Sequence, residues 1–142
     1  MGESPRRHAR ELVLQALYAS ECSDEDPGIK LQRLLEKETI SENNALFARE
    51  FFAAVHRNSD KADEQITALA ANWDINRMAA IDLIVLRMAI VELMEFKSVP
   101  VKVVLNESIE LVKKYSTAKS SRFINGVLDQ FAKNLSSISD EG

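Results

Sequence analysis

Arg6, Arg7, His8 and Arg10 crowd the start of the chain. If that start is helical, cations sit where the macrodipole favours acids, at a cost of about 0.3–1 kcal/mol per charge at low salt. A phosphate backbone would reverse that penalty, because helix N-termini and arginines both attract phosphate. An incidental basic terminus is the alternative, and spacing alone does not separate the two. Arg87 is the second candidate, a lone cation in the most apolar stretch of the sequence. Buried without a partner it would be very costly. Asp82 and Glu92 are each five positions away, so neither faces it well on one helix. Either another helix supplies a carboxylate or Arg87 lies at an edge and reaches a ligand, and the pattern favours pairing. Phe123, beside Lys119 and Arg122, is the third. An aromatic with basic neighbours suits stacking on an unpaired base, while its periodicity suits the core equally well.

Other chemistries find little support. Metal sites need His, Cys or carboxylates at ligand spacing. His8, Cys22 and His56 are too far apart in sequence to share a helical turn. Covalent catalysis needs an activated nucleophile beside a base, and no glycine-rich elbow is present. The isolated Gly2, Gly28, Gly126 and Gly142 form no phosphate-cradling loop. Carboxylate pairs are available among the 22 acids, but solvation on polar helix faces explains most of them.

The candidates need elements to hold them. The chain has 142 residues, 46% of them hydrophobic and 28% charged, which suits one globular domain. With only 4 glycines and 3 prolines, long helices are favoured over a many-turned β fold. Net charge is −4, so any nucleic-acid binding must come from a local basic patch. The single cysteine excludes an intrachain disulfide, and no signal-peptide or membrane-spanning pattern is seen. A cytosolic location is expected.

Ser4-Pro5 starts a helix that carries Leu12, Val13, Ala16 and Leu17 at helical spacing. Asp26-Pro27 starts a second. Ser41-Glu42 opens a third, which is expected to run on through Ile66, Leu69 and Ala70 because no Gly or Pro intervenes. Asp74 is expected to cap the next element. Residues 81–94 are apolar nearly all round and read as a central buried helix. After a break over Lys97–Pro100, residues 101–115 are amphipathic. Ser120 or Ser121 is expected to cap the last helix, which holds Phe123, Ile124, Val127, Leu128 and Phe131. Gly126 inside that helix costs about 1 kcal/mol relative to Ala, and a close helix crossing is the expected reason. The fold class is all-α, a compact bundle of about seven helices, with a polar tail at 137–142.

These residues also carry a family resemblance. The segment Arg6-Arg7-His8-Ala9-Arg10-Glu11, continuing to Gln15-Ala16-Leu17-Tyr18, resembles the arginine-rich opening of the NusB family of bacterial transcription antitermination factors. Leu86-Arg87-Met88-Ala89 with Glu92-Leu93 is similar to that family's central helix. Val99-Pro100-Val101-Lys102-Val103-Val104-Leu105-Asn106-Glu107, Ile109 to Lys113, and Phe123-Ile124-Asn125-Gly126-Val127-Leu128-Asp129 complete the match in the family's order. Residues 20–75 match mainly in helical pattern.

The resemblance implies a fold of two packed helical subdomains, roughly 1–72 and 73–136, the first holding the arginine-rich helix, and a complex with the small-ribosomal-subunit protein NusE. Together the two would bind single-stranded boxA RNA of nascent ribosomal transcripts and join RNA polymerase with other Nus factors to suppress premature termination. It implies no catalysis and no cofactor. Carried over by position, Arg6, Arg7, Arg10, Tyr18, Arg87, Lys119 and Phe123 would contact RNA. His8 departs from the family's usual basic residue and is mostly neutral near pH 7. The resemblance leaves the oligomeric state open, with a homodimer through the RNA-facing surface as one alternative. Two other readings compete. A scaffold with protein partners only would leave the arginines without an RNA role. A NusB-like appendage of a ribosomal RNA methyltransferase would need a catalytic domain for which 142 residues leave no room.

Overall fold

The computed structural model describes residues 5–70 and 78–141, with side chains through residue 136. Among the described residues there are seven helices and no strand: α1 Pro5–Cys22, α2 Pro27–Lys37, α3 Glu42–Arg57, α4 Ser59–Leu69, α5 Ala80–Glu95, α6 Val101–Tyr115 and α7 Ala118–Glu141. Local chemistry sets several of the boundaries. Asp26 caps α2, its Oδ1 accepting from the backbone N–H of Gly28 at 2.8 Å and of Ile29 at 3.2 Å, with Pro27 in the first turn. Ser41 Oγ accepts from the Asn44 N–H at 3.2 Å at the start of α3. Pro100 ends the break before α6, as the sequence pattern requires. Ser4 and Asp74, both expected as caps, lie outside the described residues.

Three sequence expectations are corrected. The third helix does not run on to Ala70. It ends at Arg57, and Asn58 takes φ −108° and ψ 14° before α4 begins. Asn58 is buried and its Nδ2 donates to Glu95 Oε1 at 3.3 Å, so a contact with the end of α5 fixes the break. The cap of α7 is Thr117, whose Oγ1 accepts from the Ser120 N–H at 3.1 Å, in place of Ser120 or Ser121. No helix crosses at Gly126, which is exposed and would have nothing within 4 Å of an added Cβ.

The chain divides into two compact units, Met1–Arg57 and Asn58–Gly142. Helix α4 belongs to the second unit, where it packs on α5 and α7. In the first unit α1 packs on both α2 and α3. Its buried side chains include Leu12, Val13 and Leu14 of α1, Leu31 of α2 and Phe51 of α3. In the second unit α5 is central, touching α4, α6 and α7. Leu86, Met88, Ile90 and Val91 are buried on different sides of α5, together with Ile124 and Leu128 of α7. Each such side chain contributes about 1.5–3 kcal/mol of burial. This order makes α1 and the start of α7 rigid platforms for the polar residues they carry.

Candidate nucleic-acid interface

The first unit presents the arginine-rich start of α1. No acidic residue occupies its first turn, the place where a carboxylate would most offset the positive end of the helix dipole. Arg6 is half-buried, with its Cζ 4.3 Å from the centre of the Phe47 ring on α3. Arg10 leans on the same ring at 5.3 Å and is only 3% exposed. One aromatic ring therefore positions two guanidinium groups, each gaining about 0.5–1 kcal/mol or more from the ring quadrupole. Arg7 is half-buried on the same turn. His8 Nε2 lies 3.7 Å from Glu38 Oε2, so a carboxylate already faces it. Tyr18, farther along α1, is 39% exposed. A hydrogen bond with the Cys22 side chain one turn on, followed by the Coulombic effect of that thiol, raises the Tyr18 pKa above its ordinary value.

The second unit carries the other three candidates. Arg87 is 22% exposed on its side chain and forked onto Asp63 of α4, with Nε donating to Oδ1 at 2.6 Å and Nη2 to Oδ2 at 2.9 Å. The partner helix that residue spacing called for is thus α4. Lys119 is exposed and Phe123 half-buried, on the first turns of α7. Between them Ser120 Oγ donates to Asp82 Oδ2 at 2.6 Å, which ties the start of α7 to the first turn of α5. Asp82 is 7% exposed and its Oδ1 has no partner among the described residues.

Arg6, Arg7, Arg10 and Tyr18 therefore share α1, and Lys119 and Phe123 share α7, with Arg87 on the neighbouring α5. Arg10 is buried, whereas Arg6 and Arg7 are half-buried. Sequence reasoning missed Phe47 and Asp63, and the contact between Ser120 and Asp82. Each acts through a helix distant in sequence, so no local spacing marked it. Among the described residues no cluster of three His, Cys, Asp or Glu side chains could hold a metal ion. No described helix is long and apolar enough to cross a membrane.

Comparison with known proteins decides the family. The profile of the NusB family matches residues 7–133. The chain belongs to the NusB family. Transcription antitermination protein NusB of Salinibacter ruber is 42% identical over 133 residues, covering 93% of this chain and 83% of that protein. The protein of the same name from Dehalococcoides mccartyi is 41% identical over 130 residues, covering 92% and 91%. Among solved structures, NusB of T. maritima superposes with a TM-score of 0.85 at 35% identity, covering 93% of each chain. A chain from a crystal structure of the antitermination factors NusB and NusE with dsRNA superposes at 0.82 and 27% identity, covering 92% of this chain and 97% of that one. The NusB match takes in α1 from Arg7 onward, all of α2 to α6, and α7 as far as residue 133.

Proposed function

We propose that this protein is a transcription antitermination factor that binds boxA RNA of nascent ribosomal transcripts together with NusE, and so suppresses premature termination by RNA polymerase in the cytoplasm. It does so by binding alone, without catalysis or cofactor. The observation that carries the reading is the start of α1, where Phe47 holds Arg6 and Arg10 at a helix N-terminus whose first turn carries no acidic residue. Family membership and the names of its relatives supply the process.

The residues divide by task. Arg6 and Arg7 offer charge and donors to phosphate, and Lys119 does the same from α7. Arg10 positions that turn from beneath. Tyr18 and Phe123 offer aromatic faces to unpaired bases, each stacking contact contributing about 1–3 kcal/mol. Asp63 uses two of the five guanidinium donors of Arg87. The remaining donors are available to RNA without breaking the pair. The net charge of −4 keeps the chain's own long-range attraction for RNA weak, so a basic partner such as NusE completes the surface.

The test is a titration of boxA RNA and a scrambled RNA of equal length, with and without NusE, at two salt concentrations. Preference for boxA, strengthened by NusE, is expected. The log–log salt slope should shrink by about 0.7 for each phosphate contact removed. Equal and negligible binding of both RNAs with NusE present would leave a scaffold of protein partners as the better reading.

A further inference from the structure

Beside the candidate contacts on α7 the second unit has an open cleft of about 370 Å3 between α6 and α7. Its lining is polar: Asn106, Lys113, Ser121, Arg122 and Asn125, with Glu110 the one acid and Ile109 the one apolar side chain. Glu110 lies 3.7 Å from Lys113 on the same helix, which leaves Arg122 as the cation without an acid. Among the described residues the side chains of Asn106, Arg122 and Asn125 have no hydrogen-bond or ion-pair partner. Gly126 follows Asn125 and lies one helical turn beyond Arg122, so it shares this side of α7. It is exposed, and a Cβ there would meet nothing within 4 Å. Glycine inside a helix is destabilising relative to alanine, and no packing among the described residues requires it. What it provides is bare backbone that a ligand can approach closely.

We propose that this cleft is a second nucleotide subsite, which receives RNA continuing along α7 from Phe123 and Lys119. The proposal rests on the reading of the chain as an RNA binder. Arg122 and Lys113 face a phosphate. The amides of Asn106 and Asn125 each carry donors and an acceptor, which suits a base edge or a 2′-hydroxyl. The bare turn at Gly126 lets the sugar–phosphate chain lie against the helix. A protein partner fits the lining less well, because protein interfaces centre on apolar and aromatic anchors and are depleted of charge at the core. Here one isoleucine is the only such group.

The experiment compares a minimal boxA RNA with the same RNA extended by a few nucleotides at both ends, in the presence of NusE. The variants are Gly126→Ala, Asn125→Ala and the two combined, with Phe123→Ala as reference. Gly126→Ala should raise the thermal midpoint, since it improves helix propensity, and yet weaken binding of the extended RNA. The combined variant should bind extended RNA about ten-fold more weakly and minimal RNA unchanged. If it binds extended RNA as the natural chain does while Phe123→Ala loses the minimal RNA, the cleft is no subsite and the RNA reading survives. If it loses NusE while the chain alone binds RNA as before, the cleft serves a protein, which overturns the proposal. Failure of the natural chain to bind either RNA removes the subsite and the underlying reading together.

Discussion

Arg87 of α5 and Asp63 of α4 form a two-point fork, with Nε to Oδ1 at 2.6 Å and Nη2 to Oδ2 at 2.9 Å. Both side chains are less than a third exposed, so the pair is worth more than a surface ion pair. Asp63→Asn keeps the shape and removes the charge. It should lower unfolding free energy by about 1 kcal/mol, measured by urea denaturation. The same change frees Arg87 and should tighten RNA binding a few-fold. Unaltered RNA affinity would make Arg87 a structural residue only.

Phe47 is the ring that both Arg6 and Arg10 lean on. Phe47→Leu retains an apolar side chain in a buried position but removes the π face. The expected cost is about 1–2 kcal/mol in stability. RNA affinity should fall several-fold beyond what that loss explains, because Arg6 is no longer held. Binding measured well below the melting range separates the two effects. Retained affinity would show that the arginines act from any placement.

Ser120 supplies the one described partner of Asp82, a buried carboxylate whose other oxygen has none. Ser120→Ala should therefore cost about 1–3 kcal/mol, since the carboxylate loses its remaining donor. It should also weaken RNA binding by loosening the turn that carries Lys119 and Phe123. The stability cost should largely vanish in an Asp82→Ala background, and a thermal-unfolding double-mutant cycle reads this directly. Additive costs would show that the two residues act independently.

Tyr18 titrates above its ordinary value because of its hydrogen bond with Cys22. A raised pKa means that the folded state favours the protonated phenol. Any contribution to stability is then fully present below the ordinary tyrosine value and is lost as pH rises through the raised one. Cys22→Ala should move the phenolate absorbance of Tyr18 to lower pH, read in a Tyr115→Phe background that leaves Tyr18 as the only tyrosine. RNA binding at neutral pH should be unaffected. A titration that stays in place would assign the shift to another cause.

Much of this fold was legible in local pattern. Caps at Asp26 and Ser41, the proline at the start of α6 and the apolar girth of α5 are short-range features, and each marked its element correctly. The break at Asn58 was not legible, because it depends on Glu95, which is far away in sequence. Nor was the open setting of Gly126, since an interior helical glycine looks the same whether its surroundings are packed or empty.

The sequence by itself determined that the chain is helical, that its arginines cluster at one helix start, and which family's motifs it carries in order. Those properties depend on residue type and spacing along the chain. Only the tertiary structure decided what each candidate side chain touches. Arg10 is buried against Phe47, Arg87 is forked onto Asp63, and Ser120, expected as a helix cap, is tied to Asp82. Burial and ion pairing depend on which helices meet, and that is settled by packing across long stretches of chain.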